Sequence, residues 1–90
     1  MSADAVAQLC EWLRQVIGGI VKTPTAVSVN EIGRAHETIM ITVIADPLDV
    51  GRVLGVDDAN IKLIQRLADR AAALRGCRVQ LVVPQKGERR

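Results

Sequence analysis

The segment 52–72, RVLGVDDANIKLIQRLADRAA, decides the fold predicted for this chain. Its apolar start leads into Gly55, and the acidic residues Asp57 and Asp58 follow. From Ala59 onward, apolar residues recur every three or four positions, which is the spacing of one face of an α-helix. The segment therefore predicts two helices joined by a short loop that carries two carboxylates.

The helix after the loop is predicted to run from about Ala59 to Leu74. Gly76 is well placed to end it, because glycine accepts the backbone conformation that often follows a helix. The apolar stripe of this helix and the leucines beside it are Ile61, Ile64, Ala68, Ala71, Leu63, Leu67 and Leu74.

The helix before the loop, DPLDVGRVL at 46–54, has clear start signals. Asp46 is a candidate N-cap, and Pro47 suits the first helical position. Asp49 adds negative charge to the first turn, where the helix dipole favours it. This segment is predicted to be a short helix.

Four further segments have regular patterns. Residues 3–17 show helical spacing, with Ser2 as a candidate N-cap and a glycine pair at the end. Alternation predicts strands at 26–32, 37–45 and 77–83, with a turn at 33–36. Both faces of 37–45 are largely apolar, so this strand is predicted to be the central one.

The predicted order is therefore α-β-β-α-α-β. This order is typical of a two-layer α+β fold in which the helices pack on one face of a three-stranded sheet. With 90 residues, the chain is predicted to form a single domain over residues 1–84. Residues 85–90, QKGERR, are predicted to be a flexible basic tail.

Composition limits the core and the partners. Hydrophobic residues make up 49% of the chain and aromatic residues 1%, so the core is predicted to be aliphatic. The net charge of +2 and the pI near 8.8 favour anionic partners only weakly. A pI above about 9 is the usual sign of a nucleic-acid-binding domain.

The sequence contains neither a membrane-spanning apolar run nor the basic start of a signal peptide. We therefore expect the protein in the cytoplasm. Cys10 and Cys77 are then expected to be reduced, semi-buried small hydrophobes. A disulfide or redox role is the alternative, although no CxxC or metal-ligand spacing is present.

Residues for catalysis are few. His36 is the single histidine and falls in a predicted turn, where a solvated side chain is expected. Asp57 and Asp58 alone are too few ligands for a typical cation site. Neither a phosphate-binding Walker loop nor a dinucleotide fingerprint occurs. We therefore expect a binding module that is not an enzyme and uses neither a cofactor nor a metal.

Two features indicate binding of an anion. The loop at Gly55 precedes a helix N-terminus, whose N–H groups and dipole suit phosphate. Lys62, Arg66 and Arg70 recur every four residues on that helix, and Arg52 lies just before the loop. A row of cations beside such a loop is the pattern expected for a nucleic-acid backbone. The alternative is a solvated helix face partly neutralised by Asp58 and Asp69.

The element order and the segment DPLDVGRVLGVDDANIKLIQRLADRAA resemble a type II KH domain. The resemblance is to the small bacterial single-domain KH RNA-binding proteins of the KhpA type. Asp49-Val50-Gly51-Arg52-Val53-Leu54-Gly55 fits the family pattern of an acidic residue, Val-Gly, a basic residue and apolar residues before the Gly-x-x-Gly loop. The likeness extends over Leu9–Val83 and is specific around Asp49–Gly55.

The resemblance implies binding of single-stranded RNA, in which the loop backbone clamps phosphates beside an apolar groove for about four nucleotides. By position, Val53, Leu54, Ile61 and part of the central strand would line the groove, and Lys62 and Arg66 would approach the RNA backbone. The implied RNA-binding residues are Arg52, Val53, Leu54, Gly55, Val56, Asp57, Asp58, Ile61, Lys62 and Arg66.

This chain departs from the family pattern in the loop, where Gly55-Val56-Asp57-Asp58 replaces Gly-x-x-Gly. The second glycine is an aspartate, and the loop carries no basic residue. A carboxylate at a helix N-terminus can accept the N–H bonds that phosphate would use, with about 0.5–2 kcal/mol of stabilisation. We therefore expect Asp57 or Asp58 to cap the helix and weaken RNA binding.

Two functions follow from these features. The first is a KH module that binds RNA weakly, as a chaperone or adaptor, through its groove and basic residues. The second is a KH-fold protein that has lost RNA binding and acts in protein–protein contact or dimerisation. The resemblance also allows a homodimer or pairing with a larger KH-containing RNA-binding protein.

Overall fold

Three strands form one mixed sheet in the computed structural model, which describes residues 1–84. They are β1 (Ser28–Ala35), β2 (Thr38–Ile44) and β3 (Arg78–Val82), in the order β1-β2-β3. The β1–β2 pair is antiparallel and the β2–β3 pair is parallel. The predicted central strand is confirmed. The predicted basic tail lies outside the described residues.

Three helices accompany the sheet: α1 (Ala3–Gly18), α2 (Val50–Leu54) and α3 (Ala59–Ala73). Short 3₁₀ turns occur at Pro24–Ala26, Pro47–Asp49 and Val56–Asp58. The helices and strands follow the predicted α-β-β-α-α-β order. None of the described helices is long and apolar enough to span a membrane.

The helices cover one face of the sheet. On β2, the side chains of Ile39, Ile41 and Val43 are buried, whereas the alternate residue Ile44 is exposed. Since successive side chains of a strand point to opposite faces, the buried set marks the covered face. One aliphatic core joins this face to the helices through residues that include Leu13, Ile17, Val53, Ile64 and Ala68.

Local start signals agree with the sequence. The Ser2 hydroxyl accepts the Ala5 N–H at 3.1 Å and caps α1. The Asp46 carboxylate accepts the Leu48 N–H at 2.9 Å. The predicted short helix nevertheless begins as a 3₁₀ turn, and only Val50–Leu54 is α-helical.

The predicted turn at 33–36 was wrong. Strand β1 continues to Ala35, and the hairpin turn consists of His36 and Glu37. The pairing register shifts between Glu31 and Gly33. Such a β-bulge accommodates an extra residue without ending the strand. His36 is exposed in this turn, with φ +58°.

The outer edge of β3 is covered by side chains of α3. Gln65 Nε2 donates to the Val79 carbonyl at 2.6 Å, and its Oε1 accepts the Leu81 N–H at 3.0 Å. The Asp69 carboxylate accepts the Val79 N–H at 3.3 Å. These bonds hold α3 alongside β3 and satisfy backbone groups that a sheet edge would otherwise expose.

Candidate functional site

The loop between α2 and α3 has an unusual backbone. Gly55 adopts φ +77° and ψ 174°, a combination that is essentially restricted to glycine. Asp57 and Asp58 are both left-handed, with φ +55° and +61°. Aspartate is among the few residues that enter this region at modest cost. The loop therefore turns sharply and directs the chain into α3.

Gly55 is required by the protein's own packing. A Cβ at this position would lie 2.8 Å from both the backbone N and the Cγ of Asn60. The sequence analysis expected an anion to bind at the loop that begins with this glycine. In the structure, the space beside it is taken by the first turn of α3.

Asn60 links the two helices and was missed by the sequence analysis. Its Nδ2 donates to the Arg52 carbonyl at 2.7 Å and so satisfies an acceptor in the last turn of α2. The only sequence signal was an asparagine that follows the loop closely.

The loop carboxylates do not cap α3, so that expectation was wrong. Asp58 occupies the N-cap position without a side-chain bond to the helix. Among the bonds from backbone N–H groups to side chains within residues 1–84, none ends on the Asp57 carboxylate either. The physical reason is the left-handed backbone at both residues, because an N-cap residue normally has extended dihedral angles. Both carboxylates are exposed.

A shallow groove of about 400 Å³ lies along the start of α3. Its lining combines one apolar side chain with polar and charged ones: Asp58, Ile61, Lys62, Gln65 and Arg66. Since Gln65 bonds to β3, the strand beside this helix is the edge strand β3. No residue of the central strand β2, which was expected to contribute, lines this groove.

The apolar residues predicted for the groove are placed differently from one another. Val53 is 0% exposed and belongs to the core, so it cannot contact a ligand. Leu54 is half-buried, Val56 is exposed on the loop, and Ile61 lies in the groove. The structure thus brings Ile61, Lys62 and Arg66 together with Asp58 and leaves Val53 in the core.

The basic row on α3 consists of Lys62, Arg66 and Arg70, all exposed. Among the described residues, ion pairs form only at Arg14, Arg34 and Arg52. Asp69, which was expected to neutralise the row in part, instead bonds to β3. The positive charge of the basic row is therefore available to an anionic partner.

Arg52 lies one turn before the loop beside a buried acid. Asp49 is 2% exposed, and its Oδ1 lies 3.6 Å from Arg52 Nε. The sequence predicted Asp49 as a first-turn charge, but its carboxylate accepts the N–H groups of Lys22 and Thr23 at 3.2 and 2.9 Å. No local pattern pointed to these partners.

Neither cysteine forms a disulfide in the described part of the chain. Cys10 is buried and Cys77 half-buried. Burial raises the pKa of the Cys10 thiol, and the nearby charge of Glu31 adds to the effect. Within residues 1–84, histidines, cysteines and carboxylates form no group of three that could hold a metal ion.

No protein-family model matches the chain, and no curated protein matches it. Among solved structures, its fold is similar to that of a point variant of Era from Aquifex aeolicus, crystallised with GDP and AlF4⁻. The TM-score is 0.59 at 20% identity, over 92% of this chain and 33% of the Era chain. The chain thus corresponds to about a third of that protein. The likeness concerns the fold alone and is consistent with a KH-like fold.

Proposed function

We propose that this chain is a non-catalytic RNA-binding module with a type II KH fold, similar to the bacterial KhpA-type proteins. Single-stranded RNA would lie along the groove at the start of α3, beside the loop. The observation that carries the proposal is the exposed basic row Lys62, Arg66 and Arg70 next to a loop whose carboxylates leave the helix N-terminus uncapped.

The chemistry of the groove fits a nucleic acid strand. Ile61 offers an apolar contact for a base, and Lys62 and Arg66 line the same groove, where they can contact phosphates. The Gln65 amide forms hydrogen bonds with the backbone of β3, and these bonds hold the groove wall in place. Asp57 and Asp58 oppose the phosphates by charge repulsion, so the affinity is modest.

The test is a titration of fluorescent single-stranded RNA of about eight nucleotides, twice the length that a KH domain accommodates. Four cations are expected to contact phosphates: Arg52, Lys62, Arg66 and Arg70. The logarithm of the RNA-binding constant should then fall against the logarithm of the salt concentration with a slope of about −3. Lys62→Gln with Arg66→Gln should remove about half of that slope. The matched control is Arg75→Gln with Arg78→Gln, which removes equal charge beyond the other end of α3.

The outcomes separate specific binding at the groove from general charge attraction. Loss of affinity in the groove pair alone supports the proposal, whereas equal loss in both pairs contradicts it. A second comparison uses Asp57→Lys with Asp58→Gly, which should raise affinity. Absence of binding by both the natural chain and this variant would refute RNA binding at this site.

A second candidate function is protein contact, and exposed leucines on α3 favour it. Leu63, Leu67 and Leu74 are 55%, 39% and 87% exposed, and Leu63 and Leu67 each follow a residue of the basic row. If the natural chain binds no RNA but self-associates in sedimentation, Leu63→Gln with Leu67→Gln should restore the monomer. That result would favour a dimerisation module.

A further inference from the structure

A buried carboxylate joins the chain between α1 and β1 to helix α2. Asp49 accepts one backbone N–H on each oxygen, from Lys22 and from Thr23. A buried charge is tolerated only when hydrogen bonds or an opposite charge compensate its lost hydration. Arg52, 3.6 Å away, is that opposite charge. The position of Lys22 relative to α2 is thus set by Asp49.

The backbone N–H of Lys22 and the guanidinium of Arg52 approach the same oxygen atom. Oδ1 of Asp49 accepts the Lys22 backbone N–H and faces Nε of Arg52. The Arg52 side chain is nevertheless 50% exposed. Because Nε faces the carboxylate, the two terminal nitrogens of the guanidinium remain for another partner. Lys22 is exposed, and its backbone nitrogen lies 3.2 Å from the same carboxylate oxygen.

This pair of cations is coupled to the loop. The Arg52 carbonyl accepts a hydrogen bond from Asn60, in the first turn of α3. Asp49, Arg52 and Asn60 therefore link α2 and α3 to the chain between α1 and β1. Two cations and one buried anion leave a local charge of +1, which matches one phosphodiester group.

Resting on the proposed function, we propose that Asp49 is a positioning residue that holds Lys22 and Arg52 together as a contact for one further RNA phosphate. Arg52 is already one of the four cations counted above, so Lys22 is the fifth and changes the expected slope from about −3 to about −3.5. Arginine supplies directed hydrogen bonds to the phosphate oxygens, and lysine supplies a compact charge. Lys22 is the new member of the site, since its sequence position gave no indication of this role.

The experiment measures RNA affinity against salt for Lys22→Gln, with Arg75→Gln as the control of equal charge. Loss of one phosphate contact changes the slope by about 0.7 for a single strand. A four-fold rise in salt, from about 50 to 200 mM, lowers the RNA affinity of both chains. The fold-loss for Lys22→Gln should be about 2.6 times smaller than the fold-loss for the natural chain. Arg75→Gln should keep the natural slope.

The role of Asp49 is tested with Asp49→Asn, Arg52→Gln and the double variant. If Asp49 acts through Arg52, Asp49→Asn and Arg52→Gln lower the salt slope of RNA binding by the same amount. The double variant then has the same slope as either single variant. A purely structural role of Asp49 would weaken binding without changing the slope. Amide exchange at Lys22 and Thr23 reports the broken link independently of RNA.

The possible failures are distinguishable. If the natural chain binds RNA and Lys22→Gln has the same slope as Arg75→Gln, this inference is overturned and the proposed function stands. If Asp49→Asn keeps the full slope, Asp49 is not a positioning residue. If the natural chain does not bind RNA at all, both proposals fall. Since Lys22 is exposed, its variant should fold even where Asp49→Asn does not.

Discussion

Replacing Gly55 by alanine should destabilise the protein strongly. The backbone at Gly55, φ +77° and ψ 174°, is a region that costs other residues about 1–3 kcal/mol. The new Cβ would also lie 2.8 Å from the backbone N of Asn60. A side-chain rotation cannot relieve that contact, so α3 itself must shift. We expect the free energy of unfolding to fall by about 3 kcal/mol.

Gly51 offers a matched control, because the same substitution there has the opposite expected sign. Gly51 lies inside α2, and a Cβ at this position would meet no heavy atom within 4 Å. Alanine in a helix is favoured over glycine by about 0.5–1 kcal/mol. Gly51→Ala should therefore stabilise the fold slightly.

Urea denaturation followed by circular dichroism measures both changes. With a slope of about 1.5 kcal/mol per molar urea, Gly55→Ala should lower the midpoint by about 2 M, and Gly51→Ala should raise it by about 0.5 M. Adding Asn60→Ala to Gly55→Ala should not rescue the fold, since the backbone nitrogen remains. A Gly55→Ala midpoint equal to that of the natural chain would refute the close contact between loop and helix.

Three further outcomes are expected. Asp58→Gly should raise the free energy of unfolding by about 0.5–1 kcal/mol, because glycine relieves the strain of the left-handed backbone and no helix cap is lost. A decrease in stability against urea would mean that the Asp58 carboxylate does cap α3. The hydrogen bond from Arg14 lowers the pKa of Glu11 from 4.5 to about 2. The bond therefore stabilises the fold above pH 4.5, and that contribution is lost as the pH falls through 2. NMR titration of Arg14→Gln should show a higher Glu11 pKa, and an unchanged value would contradict the bond. Cys10 should react with a thiol reagent more slowly than Cys77, because burial raises the pKa of the Cys10 thiol. Cys77→Ser should therefore remove the fast phase of the reaction. A fast phase that persists in this variant would place Cys10 at the surface.

Much of the fold was predictable because its signals are local. The spacing of Leu9, Leu13 and Ile17 is helical, and all three side chains are buried in α1. The alternation of Ile39, Ile41 and Val43 identified β2. Asp46, predicted as the N-cap of a short helix, accepts the Leu48 N–H at the start of the 3₁₀ turn. Such patterns depend on residues two to four positions apart, which the sequence shows directly.

The candidate site was only partly predictable. Its location at the loop and the exposure of Lys62, Arg66 and Arg70 followed from helical spacing. The resemblance to KH domains placed Val53 in the groove by its position before the loop. Apolarity alone does not distinguish a core residue from a ligand contact, and the structure puts Val53 in the core.

The amino-acid sequence by itself determined the helices, the strands and the basic row, since each depends on periodicity along a short segment. Only the tertiary structure decided that Asp49 bonds to Lys22 and Thr23, which lie 27 and 26 residues away. It also decided that the space beside Gly55 belongs to Asn60 and that the edge of β3 is satisfied by Gln65. These contacts form when distant segments meet in the folded chain, and no local pattern encodes which segments will meet.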